Sequence, residues 1–322
     1  MRQTARRSPA PADPAARFAK RLARLWPEGG RIGLAVSGGA DSLALLLLAQ
    51  KAIPHRFAVA TVDHGLRAEA AAECAGVAQV CAARGIACEV LTVTVAPGNV
   101  QDRARHARYA ALSDWLIRHD LCALATAHHA DDQAETLLMR LNRASGTGGL
   151  AGVRERGRVP GSEIPLLRPL LGFRRTELEA IVSAAALDPV RDPSNADERF
   201  DRVQIRQALA DADWLDPAAL ARSAAHLAEA EDALDWAAAR EWAENVACTE
   251  ETIRYRPAAP NAIALRIAAR AMARFGATPR GSELARLVER LHAGEGGNVA
   301  GVMVRPEGDA WLFCREPARR TG

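Results

Sequence analysis

Ser37-Gly38-Gly39-Ala40-Asp41-Ser42 joins a short apolar run at 32–36 to a second one at 43–49. A buried strand, a tight glycine turn and the start of a helix are expected there in that order. Paired glycines let the backbone approach a phosphate closely and take conformations closed to other residues. The free N–H groups of a first helical turn, with the helix dipole behind them, make an anion site. Ser37 and Ser42 add hydroxyl donors, and Asp41 sets a carboxylate where Mg²⁺ would bridge phosphates. The alternative is a plain strand–turn–helix corner in which Asp41 or Ser42 only caps the helix. A Walker-type loop is excluded. It needs a Gly-Lys-Ser/Thr step, and the two lysines of this chain, Lys20 and Lys51, follow Ala19 and Gln50.

A second cluster, His128-His129-Ala130-Asp131-Asp132-Gln133-Ala134-Glu135-Thr136, closes another apolar run and opens a helix with Leu137, Leu138 and Leu141 on its core face. Asp131 or Asp132 can cap that helix, and Glu135 fits its first turns. Capping explains one carboxylate, not three of them beside two histidines. Clustered like charges cost free energy unless a cation compensates them. Mg²⁺ with ATP, together with a positively charged substrate, would supply that compensation.

These clusters need elements to hold them. Apolar runs of strand length fall at 32–36, 57–62, 88–95 and 121–127, and helical patterns at 42–51, 68–84, 102–119 and 131–143. Alternating strands and helices with continuously apolar strands give an α/β fold, a parallel sheet covered by helices on both faces. Ligands bind such sheets beyond the carboxyl ends of the strands. Those ends carry Ser37-Gly38-Gly39, Asp63-His64-Gly65 and His128-His129, so one converged site is expected.

Further along, a mobile glycine-rich loop is expected at 144–149, an edge strand at 164–171, a helix at 174–186, a turn at Asp192-Pro193-Ser194-Asn195 and a helix at 198–210. Residues 214–217 read as a boundary, followed by alanine-rich helices at 217–246, 260–274 and 280–292 and a hairpin pairing 299–304 with 310–315. Three regions result: a basic tail and leading helix at 1–30, an ATP-binding catalytic domain at 31–215, and a smaller, mainly helical domain at 216–322.

With 322 residues, 49% of them hydrophobic, the chain can bury a full core in two domains. A net charge of +3 does not by itself demand a polyanionic partner. No uncharged apolar run is long enough to span a bilayer, and the arginine-rich start lacks the apolar core of a signal peptide. A cytoplasmic protein with no membrane partner is expected. Cysteines 74, 81, 88, 122, 248 and 314 contain no Cys-X-X-Cys pair and read as structural thiols, with 74 and 81 on one helical face.

The Ser-Gly-Gly-X-Asp-Ser signature resembles the pyrophosphatase-loop enzymes, adenine nucleotide α-hydrolase-like proteins that cleave ATP between its α and β phosphates and activate a substrate as an adenylate. Adding Val62-Asp63-His64-Gly65-Leu66-Arg67, the block at 128–136, the glycines at 146–152 and the Asp192 turn, residues 31 to about 210 resemble the tRNA(Ile)-lysidine synthetase family. The resemblance implies that ATP adenylates the 2-carbonyl oxygen of the wobble cytidine of the CAU-anticodon isoleucine tRNA. The ε-amine of free L-lysine then displaces AMP and leaves lysidine, switching codon reading from AUG to AUA. It implies ATP and Mg²⁺ as cofactors and leaves oligomeric state open, a homodimer included.

By that resemblance Ser37, Gly38, Gly39, Ala40, Asp41 and Ser42 cradle the phosphates, with Asp41 and Asp132 as metal contacts. His128, Asp132 and Glu135 fall on the family's essential residues, with Asp132 for metal or the lysine ammonium and Glu135 for the incoming amine. Arg105 and Arg108 match an arginine-containing helix of the family and join the catalytic set. Asp63 and His64 either contact the nucleotide or form a capped turn. Arg202 and Arg206 match a later arginine pair assigned to tRNA, although Val203 follows where the family usually has asparagine, and Ala144 stands where it commonly has glycine. Arg266, Arg270 and Arg274, spaced by four, share a helical face suited to the tRNA backbone or simply to solvent. A tRNA thiolase of the same superfamily would need cysteines at the site. A catalytically dead nucleotide sensor would tolerate loss of Asp41, Asp132 or Glu135, and all three are present.

Overall fold

The computed structural model describes residues 13–65, 69–94, 100–190 and 201–316. It divides into two compact units between Leu227 and Ala228.

The first unit runs α1 (Pro14–Leu25), β1 (Ile32–Ala35), α2 (Ala40–Ala52), β2 (Phe57–Asp63), α3 (Glu69–Ala82), β3 (Cys88–Thr92), α4 (Val100–Arg118), β4 (Ala123–Ala125), α5 (Ala130–Leu141), α6 (Thr147–Leu150), β5 (Arg156–Arg158), β6 (Pro165–Leu167), α7 (Arg175–Ala184) and α8 (Asp201–Asp211). Its sheet has the order β3-β2-β1-β4-β6-β5, parallel except for β5. The chain leaves β1 towards β2 on one side and returns to β4 on the other. β1 and β4 therefore flank the point where strand order reverses, the place where such sheets open a crevice. Their register pairs Ile32 with Ala123 and Leu34 with Ala125. Whatever follows Ala35 lies beside whatever follows Ala125.

Strand alternation sends the two sets of side chains to opposite cores. Ile32, Leu34, Val59, Ala123 and Ala125 pack with α1, α2, α3 and α7. Ala58, Ala60 and Leu124 face Tyr109, Leu112, Trp115 and Leu116 of α4. Small residues on this second face make room for large ones on α4. At Gly33 an added Cβ would fall 2.4 Å from a ring carbon of Trp115. The leading helix α1 belongs to this unit, through buried Ala15, Phe18, Leu22 and Leu25.

Two local expectations change. The strand expected at 164–171 is only Pro165–Leu167 and is internal, because β5 pairs antiparallel outside it. β5 reads Arg-Gly-Arg and buries little, so it carries no apolar signal, and its charges keep the sheet edge from pairing further. The glycine-rich segment expected to move contains α6 and is pinned. Arg140 donates to the Gly149 carbonyl, and the Gln133 amide exchanges two 2.7 Å bonds with the backbone of Val153. The turn at 192–195 lies outside the described residues.

Helix α9 (Pro217–Asn245) runs across the division. Beyond it come β7 (Val246–Cys248), β8 (Thr252–Tyr255), α10 (Asn261–Arg274), α11 (Gly281–His292), β9 (Gly297–Val299), β10 (Val302–Glu307) and β11 (Ala310–Arg315). In place of a lone terminal hairpin, these strands form a five-stranded antiparallel sheet ordered β7-β8-β11-β10-β9. The hairpin begins at Val302, because Ala300 and Gly301, at φ 51° and 76°, turn the chain between β9 and β10. β7 and β8 are too short and too polar to stand out beside the alanine-rich helices. Tyr255, Ile267, Met272, Val288, Val304 and Phe313 form this unit's core.

Candidate active site

The glycine turn after β1 is held from inside. Ser42 Oγ accepts from the Ser37 N–H at 3.1 Å and donates to the Gly39 carbonyl at 2.9 Å. Gly38 has φ +87°, a conformation only glycine takes without strain, and the N-cap of α2 is Gly39, with no side-chain cap. Asp41 is therefore not the helix cap. Its Oδ1 is buried with no hydrogen-bond partner, while Oδ2 lies 3.5 Å from His129 Nε2. An orphaned carboxylate oxygen in the first turn of a phosphate-binding helix fits a Mg²⁺ ligand, since that ion is commonly held by one or two carboxylates plus substrate phosphates. Asp132, the other expected metal contact, has both oxygens engaged, Oδ1 by Arg202 Nη2 and Oδ2 by the His129 N–H. Among the described residues no group of three or more His, Cys, Asp or Glu is arranged to hold a metal.

The second cluster separates its charges by role. His129, 1% exposed, is the N-cap of α5 and forms a capping box with Asp132. Its Nδ1 accepts from the Asp132 N–H at 3.4 Å, and Asp132 Oδ2 accepts from the His129 N–H at 3.0 Å. The neutral ring therefore carries its proton on Nε2, towards Asp41 and Asp132. Burial, the largest influence, disfavours the charged ring, yet Asp41 and Asp132 outweigh it and raise the His129 pKa. Asp131 turns away and takes the Arg175 N–H at 2.8 Å and the Arg174 guanidinium, tying α7 to α5. Burial opposes its ionisation, and these bonds overcome it, lowering its pKa.

Glu135, expected to meet the incoming amine, lines neither cavity of the site and is 1% exposed. Its two oxygens receive Arg202 Nε at 2.6 Å, Arg206 Nε at 2.8 Å and Arg175 Nη2 at 3.5 Å. Arg202 also donates from Nη2 to Asp132 Oδ1 at 2.7 Å. The later arginine pair, expected on tRNA, is thus turned onto buried carboxylates, because an ionised Glu135 without them would be an uncompensated charge.

Two cavities meet at Gly39, Asp41, Asp132 and Arg202. The first, about 630 Å³, adds Ser37, Ser42, His64, Arg108, Tyr109 and His128. His128 is neutral: burial first, then Arg168, Arg202 and Arg108, push its pKa down to about 4 against the pull of Asp132. Burial and then Arg108 likewise lower His64. Asp63 accepts from the Gly65 N–H at 2.8 Å, the capped turn that was its alternative. The second cavity, about 940 Å³, pairs an apolar wall of Val182, Leu187 and Val190 with Glu179, Arg175 and Arg206. Sequence patterns gave no sign of Arg175, and His129 was hidden beside the more familiar His128.

In the second unit Arg266 binds Glu231 and Asp235, Arg270 lies 4.3 Å over the Trp242 ring, and Arg274 is exposed. Among the described residues, Arg266 of the expected basic face is answered by carboxylates, while Arg270 and Arg274 are exposed.

Over most of its length the chain is similar to known proteins. Residues 14–212 match the family model of the PP-loop domain. The chain is 51% identical to a tRNA(Ile)-lysidine synthase of Novosphingobium aromaticivorans over 95% of both chains. It is 40% identical to one of Zymomonas mobilis over 91% of both, and 40% identical to one of Ruegeria pomeroyi over 89% of this chain and 71% of that one. Among solved structures it is similar to a U34-tRNA thiolase of Methanococcus maripaludis, with a TM-score of 0.53 at 14% identity over 66% of this chain and 77% of that one, a likeness of fold alone.

Proposed function

The chain belongs to the tRNA(Ile)-lysidine synthase family, and from that membership we propose how its residues divide the work of the reaction. The activity is that of an ATP-dependent ligase forming lysidine in isoleucine tRNA. The observation that carries the division of labour is that Asp41 and Asp132 stand between two cavities, each suited to a different substrate.

ATP takes the first cavity, with its leaving pyrophosphate on the glycine turn and the N-terminus of α2. The wobble cytidine enters the same cavity near His128. Its O2 attacks the α-phosphorus and pyrophosphate departs. Mg²⁺, held by Asp41, would neutralise the phosphate charge, which leaves Asp132 to the lysine amine. Free lysine takes the second cavity, its methylene stem on Val182 and Leu187, its α-carboxylate towards Arg175 and Arg206, and its ε-amine towards Asp132. The amine gives a proton to Asp132 and attacks C2, and the C2–O bond breaks to release AMP. Catalysis is then mainly positioning and charge stabilisation. Glu135 acts behind this scene by fixing Arg202 and Arg206. ATP, tRNA and free lysine are all cytoplasmic, which supports that location.

Incubation with ATP, labelled lysine and candidate tRNA transcripts, followed by nucleoside analysis, tests the reading. Label is expected only in the isoleucine transcript with a CAU anticodon. Label in no transcript, with pyrophosphate release intact, would overturn it.

A further inference from the structure

Thr126 and His128 follow β4 two residues apart, where strand alternation sends both side chains to one side of the chain. Ala123, Ala125 and Ala127 pack into the core on the other side. Thr126 and His128 both line the first cavity, together with Tyr109 and Leu112 of α4. The Thr126 N–H donates to the Leu167 carbonyl at 3.0 Å, which extends the pairing of β4 with β6 and fixes the threonine backbone. The Thr126 hydroxyl lies 3.0 Å from His128 Nδ1, and the residue is 8% exposed. That hydroxyl has no other partner among the described residues, and a β-branched side chain has little freedom to seek one. A buried hydroxyl hydrogen needs an acceptor. Nδ1 is the one in reach, so Thr126 donates and Nδ1 accepts. The neutral ring then carries its proton on Nε2.

Valine would fill the same space with no polar group to bury, so the hydroxyl is there for the ring. Nε2 has no partner among the described residues and is left to a ligand of the first cavity. Burial first, then Arg168, Arg202 and Arg108, keep the ring neutral against the pull of Asp132. We propose that Thr126 is a positioning residue that fixes His128 as the Nε2–H tautomer, a hydrogen-bond donor to the reacting oxygens and not a general base. This rests on the assignment of the first cavity to ATP and the wobble cytidine. In adenylation the oxygens around the α-phosphorus redistribute charge as pyrophosphate leaves. In lysine transfer the oxygen leaving C2 takes the electron pair of the broken C2–O bond. A neutral N–H held at that point stabilises charge as it develops, with no reorganisation at the moment of reaction. The opposite tautomer would present a lone pair to the same oxygens and repel them. The proton that the lysine amine sheds goes to Asp132, so no step asks His128 to accept one.

The test uses the full chain as wild type, Thr126→Val, Thr126→Ser and His128→Gln, each with isotope-labelled histidine ring nitrogens. Nitrogen NMR of the substrate-free protein reads the tautomer, and the signals missing from His128→Gln identify this ring among the eight histidines. Wild type should show a protonated Nε2 and an unprotonated Nδ1. The reverse assignment overturns the proposal, whatever the activity. Thr126→Val is nearly isosteric and should give signals averaged between the two tautomers. Its pyrophosphate release at saturating ATP and tRNA should slow roughly fivefold, with both KM values within about twofold of wild type. Thr126→Ser should restore the wild-type signals and most of the rate. A wild-type rate in folded Thr126→Val, or an equal loss in the Ser and Val variants, overturns the role of Thr126. If Thr126→Val does not fold, the wild-type ring signals decide. Lysidine formation by the wild type tests the parent assignment independently, because the ring signals need no substrate.

Discussion

His129 Nε2 lies 3.5 Å from Asp41 Oδ2, so the first turns of α2 and α5 are joined through one buried ring. His129 caps its own helix with Nδ1 and faces the neighbouring helix with Nε2. The two functions can be separated. His129→Asn keeps a cap acceptor and loses the reach to Asp41, so its melting temperature should stay near wild type while pyrophosphate release falls and needs more Mg²⁺. His129→Ala should also lose about 1 kcal/mol of stability with the cap. Equal activity in wild type and the Asn variant would leave His129 as a cap alone.

Asp41→Asn is nearly isosteric and removes no cap, since Gly39 holds that position without a side-chain bond. Pyrophosphate release should be abolished with little change in melting. Release at the wild-type rate would show that the orphaned Oδ1 holds no metal.

Glu135→Gln should impair adenylation and lysine transfer together, because three arginines lose the same charged partner. Its thermal stability should fall by a few kcal/mol, as when one member of a buried ion pair is removed. Quench experiments that find adenylated tRNA accumulating would instead place Glu135 on the amine.

His128 has its folded pKa pushed down to about 4 by burial and nearby arginines. The unfolded chain takes up this proton near pH 6.5 and the folded chain does not. Stability from His128 is therefore complete above pH 6.5 and declines as pH falls towards 4, by on the order of 3 kcal/mol. Chemical denaturation of the His128→Gln variant should show a flatter profile across that window, and identical profiles would refute the shift.

Arg266→Ala should lower the melting temperature of the second unit, since it strips two acidic partners on α9. The salt slope of tRNA binding should not move. Arg274→Ala should lower that slope by roughly 0.7–0.9, the effect of one phosphate contact. A larger salt effect from Arg266 would restore the three-arginine face.

Local order made most of the first unit legible. The apolar runs before Ser37 and His128 became β1 and β4, and the glycine turn is an α2 N-terminus, because strand periodicity, turn chemistry and helix starts are written in neighbouring residues. The alternation also implied that strand ends converge. β5 and β7 were not legible, since three-residue strands owe their form to the strand they pair with rather than to their own pattern.

Charge partnership was decided by the tertiary structure. Sequence placed Arg202 and Arg206 in a helix of RNA-facing type, yet packing of α8 against α5 brings Arg202 to Glu135 across 67 residues. The same packing hides Glu135 and leaves Asp132 at the junction of two cavities. Sequence spacing fixes which side chains share one helical face. Which charges meet depends on how separate helices dock, and α8, which buries no residue of its own, meets α5 through the carboxylates of Asp132 and Glu135.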